Sequence, residues 1–464
     1  MTESTEKTIP VLFLVLEFPP VNTTGNYRSL KFVKYLRQFG IEPVVVTLPA
    51  EEASAYYSAP IDQSLMQDIP EGTFIYRVPC GPPTQYRFKK LGEFLSIYFS
   101  IEDGFYKKWL PNLEKQLPAI MEKHKPVAIY TSLPPFGSGR LAVHLAKKVY
   151  HLPLVLDMRD LWAFFGATPL NSWFHFKATL NREAQVFKKA DAIIGVTPQM
   201  LEIIKKSHPQ LPHEKLHLVY NGYDFNMRET QPFTFPPGKE KITIGYIGAF
   251  YFYPEQRDRS MKPWWKKPLR RMPEYSPVKQ DWLYRSPYFF FRAINELFKK
   301  YPEYQDRVKI EFIGKVPHWL PEMIKNCGLE DHVHLHGFLP KEEAMAIAEQ
   351  FDLVLATSEK MIGGEHFSLA SKVFDYIILK KPVLAFVTPG IQRTFFEQSG
   401  SGIICDPDQP EQVTEQLRNL FENGKHLSLN YDYLEMFHRK KLTARLAGII
   451  RNITGIPAGT TPSN

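Results

Sequence analysis

Cysteine is scarce in this chain of 464 residues, and long apolar runs are missing from it. Its three cysteines, Cys80, Cys327 and Cys405, share no metal-binding or redox spacing, so we expect reduced, buried thiols. No apolar run approaches the ~20 residues that a membrane-spanning helix needs. The polar segment 1–8 does not resemble the start of a signal peptide. These absences predict a cytoplasmic protein that is soluble or lies peripherally on the inner face of the plasma membrane.

Negative charge is also in short supply relative to positive charge. The formal net charge is +8 and the aromatic content is 14%, whereas a hydrophobic content of 44% is ordinary for a globular protein. This surplus of positive charge predicts an anionic partner, which leaves nucleotide phosphates, nucleic acid and an anionic membrane surface open. The length allows two or three domains.

Strand-like apolar runs alternate with helical patterns in two successive series. Residues 1–226 hold the first series, which starts as a βαβ unit of a parallel sheet. Its predicted strands are 11–16, 44–48, 126–130, 154–157, 192–196 and 216–220. After a linker rich in proline at 227–239, the second series occupies 240–430. Its predicted strands are 242–247, 308–313, 332–336, 353–356 and 383–387.

These two series predict an α/β protein of two doubly wound, Rossmann-like domains. In such domains a ligand binds at the carboxyl ends of the strands, and two facing domains place a cleft between them. Two independent domains without a shared cleft are the alternative.

The segment 368–387 carries the most informative pattern. Lys372 and Asp375 are three residues apart near the start of a predicted helix, which Pro382 ends before a buried strand. Phosphates and riboses bind where a helix begins beside the carboxyl edge of a sheet. Lys372 is therefore a candidate phosphate ligand and Asp375 a candidate ribose ligand. An ion pair at i,i+3 spacing explains the two residues equally well.

Charged and small residues follow other predicted strands of the first domain. Asp157, Arg159 and Asp160 come directly after a buried run, and such carboxylates are costly to bury unless paired. They form a candidate catalytic cluster or a structural Asp–Arg network. Three further residues lie in loops that would face the cleft as acceptor or phosphate loops, or that form ordinary turns. These are Ser132, Gly25 and Arg28.

The second domain offers candidate donor-binding residues of the same kind. Gly248 ends a strand and would let a ligand approach. Arg285 precedes a predicted helix, where a cation opposes the helix dipole unless an anion lies between them. It is a candidate diphosphate ligand or a solvated surface charge. Gly364 and Glu365 form a turn before the Lys372 helix, which would contact the donor sugar or serve as a simple loop.

An insertion at 251–284 interleaves lysine and arginine with tryptophan and tyrosine. This pattern fits an anionic lipid interface, a lipid-diphosphate acceptor, single-stranded nucleic acid or a lid packed on its own aromatic residues. The segment 88–101 has an apolar helical face, which fits a membrane surface or the first domain. Because the basic residues cluster in the insertion and line no continuous face, we expect no nucleic-acid partner.

Several of these segments together resemble family-4-like glycosyltransferases with the GT-B fold. Residues 371–376 and 381–385 resemble the family's S/P-K-x-F-E-Y and K-P-V-L-A motifs. Residues 157–162 resemble the D-x-R-D-x-W segment of one branch, 130–137 its Y-x-S-x-P-P-F loop, and 18–29 its F-P-P-x-x-G-x-x-R start. The resemblance implies transfer of a sugar from a nucleotide-sugar donor, with retention of configuration and with neither a cofactor nor a metal.

The resemblance also implies roles for individual residues. Asp375 would hold the donor ribose, while Arg285 and Lys372 would clamp the diphosphate. Asp157, Arg159 and Asp160 would position the acceptor hydroxyl or the transferring sugar. The acceptor would be a glycan or a lipid-linked saccharide in surface polysaccharide or glycoconjugate biosynthesis. The segment 431–464 would pack back onto the first domain.

The chain departs from the family's pattern at three positions. Asp375 stands where glutamate is usual, Phe367 stands where a second glutamate is common, and no histidine lies near 157–162. Two alternatives therefore stay open. One is a sugar-nucleotide epimerase or hydrolase of the same fold, and the other is a non-catalytic, membrane-associated scaffold.

Overall fold

A computed structural model describes residues 8–80, 105–166, 169–225 and 233–457, and its first domain is built on a parallel sheet. The strands are β1 (Ile9–Leu14), β2 (Ile41–Thr47), β3 (Phe74–Arg77), β4 (Ile129–Leu133), β5 (Leu154–Met158), β6 (Ala192–Gly195) and β7 (Leu216–Leu218). They pair in the order β3-β2-β1-β4-β5-β6-β7. The strand order reverses between β1 and β4, which is where open α/β sheets bind ligands.

Helices cover both faces of this sheet. They are α1 (Asn26–Leu36), α2 (Ala50–Tyr57), α3 (Phe105–His124), α4 (Gly137–His144), α5 (Trp173–Lys189) and α6 (Pro198–Ser207). Successive side chains of a strand point to opposite faces, so Leu12 and Leu14 join one buried cluster while Val11 and Phe13 join the other.

The second domain has a parallel sheet of its own. Its strands are β9 (Ile242–Ile247), β11 (Val308–Ile313), β12 (Val333–Gly337), β13 (Leu353–Thr357), β15 (Val383–Phe386) and β16 (Gly402–Cys405). They pair in the order β12-β11-β9-β13-β15-β16. Two antiparallel ribbons accompany this sheet: β8 (Phe233–Phe235) with β17 (Lys425–Leu427), and β10 (Lys279–Asp281) with β14 (Lys360–Ile362).

The helices of this half of the chain complete the domain. They are α7 (Pro254–Met261), α8 (Tyr288–Lys300), α9 (Leu320–Asn326), α10 (Lys341–Ala348), α11 (Lys372–Ile378), α12 (Ile391–Ser399), α13 (Pro410–Asn423), α14 (Tyr431–Glu435) and α15 (Arg439–Thr454). The last of them leaves the domain, because α15 buries Leu446 and Ile450 in the same cluster as Phe32 and Leu36 of α1.

The insertion at 251–284 contacts both domains. On one side β10 pairs with β14 of the second domain. On the other side Leu170 and Tyr275 exchange two backbone hydrogen bonds of 2.9 Å, and the Tyr275 ring lies 5.2 Å from that of Phe176. The insertion therefore bridges the two domains.

Every strand predicted from the sequence is present, β9 and β11 with the predicted bounds and the others with shifted ends, and the three cysteines are free and buried as expected. The short strands β3 and β16 of the two parallel sheets were not predicted, and neither were the ribbon strands β8, β10, β14 and β17. The predicted apolar face at 88–101 lies outside the described residues, as do 226–232 of the linker and 458–464 of the last segment. Among the helices that the structure describes, none is long and apolar enough to span a membrane.

Candidate active site

Lys372 reaches from the start of α11 to the end of β9. Its Nζ donates to the Tyr246 hydroxyl and to the Ala249 carbonyl, both at 3.2 Å. Gly248 makes this approach feasible, since its φ of +114° suits glycine and a Cβ there would overlap Lys372 Nζ. The structure thus brings together two predicted donor-binding residues that are far apart in the sequence.

The surroundings of Lys372 favour an anion next to it. The pKa of Lys372 is lowered to about 8, chiefly by burial; Asp375 acts against this lowering, and Arg285 adds to it. A negatively charged ligand would restore the charged form that burial disfavours.

Arg285 lies next to Lys372 in this site. It ends the short 3-10 turn Trp282–Arg285 that precedes α8. Its Cζ lies 4.7 Å from the Trp282 ring and 5.9 Å from the Tyr251 ring. Lys372 Nζ lies 5.5 Å from the same Tyr251 ring. Two cations therefore converge on one exposed aromatic side chain, which belongs to the insertion.

A buried carboxylate and a buried histidine lie beneath Arg285. Arg285 Nε donates to Glu359 Oε2, and His366 Nε2 lies 2.8 Å from Glu359 Oε1. Burial by itself would raise the pKa of Glu359, but Arg285 and His366 outweigh it and hold that pKa far below its usual value. Neither residue was predicted. The signal for Glu359 was its position directly after a buried strand.

The remaining predicted donor residues are exposed. Asp375 lies on α11 one turn after Lys372, and Gly364 and Glu365 lie in the turn after β14. Burial, followed by Asp62 and Asp375, raises the pKa of Tyr27 in the first domain. Asp375 is therefore close to the opposite domain.

Three loops of the first domain meet at the carboxyl ends of β1, β4 and β5. Arg159 Nη2 lies 2.5 Å from Glu17 Oε1 and also donates to the Pro134 carbonyl. A Cβ on Gly25 would overlap the Arg159 guanidinium, so Arg159 occupies the space that this glycine leaves open. Ser132 is buried at the same place, and its hydroxyl has no hydrogen-bond partner among the described residues. Glu17 was not predicted.

Asp160 connects this cluster electrostatically with the second domain. Burial raises its pKa, Arg159 and Arg285 act against that rise, and Glu17 and Glu359 add to it. Arg285 and Glu359 belong to the second domain, so Asp160 lies opposite Arg285 across the cleft.

Asp157 and Arg28 lie below the cleft. Arg28 Nε and Nη2 donate to the two carboxylate oxygens of Asp157 at 2.7 and 2.8 Å, and the Tyr130 hydroxyl donates to Asp157 as well. The side chains of Arg28 and Asp157 are 2% and 0% exposed. Their predicted contacts with substrate do not fit this placement, because both side chains are inside the domain and already paired. A structural Asp–Arg network describes them.

Comparison with protein families matches most of the chain. The family described as Glycosyl transferase 4-like domain matches residues 24–222, and the family described as Glycosyl transferases group 1 matches residues 292–432. The chain therefore belongs to the family-4-like glycosyltransferases of GT-B fold, as its sequence motifs predicted.

Solved structures agree with this fold over nearly the whole chain. The N-terminal domain of trehalose-6-phosphate phosphatase from Candida albicans is similar with a TM-score of 0.55 and 12% identity, covering 98% of each chain. Sucrose-phosphate synthase from Thermosynechococcus elongatus is similar with a TM-score of 0.53 and 12% identity, covering 96% of each chain.

A third similar structure is the lipopolysaccharide outer core galactosyltransferase WaaB, with a TM-score of 0.54 and 10% identity, over 96% of this chain and 99% of that one. No curated protein matches the sequence. At such low identities the structures confirm the fold of two facing Rossmann-like domains.

Proposed function

We propose that this glycosyltransferase binds the diphosphate of a nucleotide-sugar donor between Lys372 and Arg285 and transfers the sugar to a saccharide acceptor. One observation carries the proposal. The two cations converge on Tyr251 at the carboxyl end of the second sheet, and Asp160 of the first domain lies opposite Arg285. Cations placed in this way match the charge of a diphosphate.

The chemistry follows from where charge develops. As the sugar leaves its donor, negative charge grows on the departing diphosphate, and Lys372 and Arg285 stabilise it. Asp375 accepts hydrogen bonds from the ribose. Asp160, whose pKa burial raises, is a stronger base than an ordinary aspartate and orients the acceptor hydroxyl together with Arg159.

The finer features of the reaction come from the family resemblance. We expect a hexosyl transfer that retains the anomeric configuration and needs neither a metal nor another cofactor. NMR analysis of the product reports its anomeric configuration. Turnover in the presence of a chelator, compared with turnover in added Mg²⁺ or Mn²⁺, reports the metal requirement.

A screen of nucleoside diphosphates by calorimetry tests the donor site. We expect one of them to bind, and its sugar conjugate to be consumed only when an acceptor is present. Consumption of the donor alone would indicate an epimerase or a hydrolase. Binding without turnover under any acceptor would indicate a non-catalytic scaffold, and no binding would refute the donor site.

We further propose that the acceptor is a glycan or lipid-linked saccharide of surface polysaccharide or glycoconjugate synthesis, used at an anionic membrane surface. The support is exposed apolar surface on the insertion, where Trp264 and Trp265 are 62% and 61% exposed and Leu269 is 85% exposed. Tryptophan and leucine partition into the membrane interface.

The charge pairs within the insertion predict how its binding to membranes depends on salt. Several of its cations pair with its own carboxylates, among them Arg257 with Asp281 and Arg259 with Glu274. We therefore expect sedimentation with anionic liposomes to depend on Trp264 and Trp265 and to fall only slightly in high salt. The double variant Trp264→Ser/Trp265→Ser should stay in the supernatant, and sedimentation equal to that of the wild type would refute the surface.

A further inference from the structure

The Arg285 guanidinium is bound to Glu359 on its buried side, and its other side faces the cleft. Its side chain is 22% exposed, whereas that of Glu359 is 4% exposed. Within the part of the chain that the structure describes, Nε is the atom of this guanidinium that has a hydrogen-bond acceptor. The two Nη groups are therefore available to a ligand in the cleft.

Glu359 is in turn held by His366. The His366 side chain is 1% exposed and lies against the carboxylate oxygen that Arg285 does not use. Its backbone is fixed on both sides, because His366 N donates to the Pro389 carbonyl and Ile391 N donates to the His366 carbonyl. Gly390 permits this contact, since a Cβ there would overlap His366.

The next residue ties the same loop to the first domain. The Phe367 carbonyl accepts a hydrogen bond of 2.6 Å from the Thr197 hydroxyl, and its ring packs against the core of the first domain. The loop that carries His366 is thus fixed by both domains, at the position where the family commonly has a second glutamate.

From this geometry we infer that Glu359 and His366 are positioning residues, which turn the Nη groups of Arg285 towards the donor diphosphate. The inference rests on the proposed function. Glu359 binds Nε and removes the freedom of the guanidinium to rotate away, while His366 holds Glu359 in place. Such preorganisation strengthens binding because the ligand does not have to order the side chain.

The effect of Glu359 on ligand affinity depends on whether Arg285 is present. While Arg285 is present, the negative charge of Glu359 is compensated and its hydrogen bond orients the guanidinium. When Arg285 is removed, Glu359 loses its main compensating charge and becomes a buried anion beside the site for another anion, so it repels the ligand. The effect of Glu359 on affinity must therefore change sign.

A double-mutant cycle on the affinity for the nucleoside diphosphate that binds the wild type tests this inference. Glu359→Gln keeps an acceptor for Nε, so we expect its affinity to stay within about threefold of the wild type. Glu359→Ala removes the acceptor, and Arg285→Ala removes the cation. For each we expect a loss of about tenfold or more, the scale of one charged hydrogen bond. In the Arg285→Ala background, Glu359→Ala should instead raise the affinity several-fold.

His366→Phe gives a second variant of similar ring shape, which should weaken binding several-fold in the wild type and have no effect in the Arg285→Ala background. Equal losses from Glu359→Ala with and without Arg285 would overturn the inference, because a general structural defect acts in both backgrounds. If the wild type binds no nucleoside diphosphate, or Arg285→Ala and Lys372→Ala bind like the wild type, the proposed function itself fails. If those two variants lose affinity and Glu359→Ala does not, the positioning role alone fails.

Discussion

Each domain buries a carboxylate against an arginine, and the two pairs differ in how many guanidinium N–H groups remain free to bind a ligand. Arg28 donates hydrogen bonds from all three of its guanidinium nitrogens, to Asp157 and to the carbonyls of Val219 and Tyr220. Arg285 donates from Nε to Glu359, and its two Nη groups face the cleft. A saturated pair, in which every guanidinium nitrogen has an acceptor within the protein, supports the fold. An unsaturated pair, in which some of these nitrogens have none, can bind a ligand.

The largest expected effect concerns the saturated pair. Arg28→Met should lower the free energy of unfolding by about 3–5 kcal/mol, because it leaves Asp157 as an uncompensated buried charge. Urea denaturation measures this change. Arg393→Met is the matched control, since the Arg393–Glu397 pair lies on the surface and such pairs contribute about 0–1 kcal/mol. A loss below 1 kcal/mol for Arg28→Met would contradict the structural role.

The second expected effect concerns the unsaturated site. Lys372→Ala should lower the rate of sugar transfer by about 10²-fold or more, the scale of losing one electrostatic stabiliser. The exposed Lys299 pairs with Glu296 on the surface, so Lys299→Ala should leave the rate unchanged. Steady-state kinetics compares the two variants, and an unchanged rate for Lys372→Ala would remove it from the donor site.

A smaller effect is expected where a glycine makes room for the cation. Gly248→Ala should weaken binding of the nucleoside diphosphate by about tenfold, the scale of one misplaced charged hydrogen bond, because its methyl group would displace Lys372. Gly238 has a positive φ of +63° and open space around it. Gly238→Ala therefore controls for backbone strain and should bind normally. Equal affinities for both variants would contradict the packing described for Lys372.

The smallest expected effect is a pH dependence of donor binding. The pKa of Lys372 is about 8, so its ammonium is charged below that pH and neutral above it. Affinity for the diphosphate should therefore fall between pH 7 and pH 9, by at most about tenfold in total, because the charged fraction of a group with this pKa falls about tenfold over that range. Lys372→Arg stays charged over this range and should remove the decline. Calorimetry at both pH values measures it, and a flat wild-type profile would contradict a titrating lysine.

The sequence predicted the fold well because strand and helix periods are local properties. The strands that were not predicted are short: β3 and β16 have four residues each, and the ribbon strands β8, β10, β14 and β17 have three each. In addition, β3 is half-exposed at the edge of its sheet. A weak alternation over four residues does not stand out from a loop.

The site was harder to predict, because pairing between distant residues is not written in local spacing. Asp157 and Arg159 are two residues apart, a spacing that would put both side chains on one face of a continuing strand. However, β5 ends at Met158, so Arg159 leaves the strand and pairs with Glu17 at the edge of the sheet, whereas Asp157 pairs with Arg28 inside the domain. Asp157 finds its partner 129 positions away. Glu359 and His366 could not be predicted for the same reason, because only the folded chain brings them beneath Arg285.

A crystal structure of the protein with a bound nucleoside diphosphate tests the central claim most directly. The account predicts diphosphate oxygens within about 3 Å of Lys372 Nζ and of an Arg285 Nη atom, the distance of a charged hydrogen bond, with Glu359 still bound to Arg285 Nε. A diphosphate bound elsewhere, or an Arg285 that turns away from it, would contradict the account.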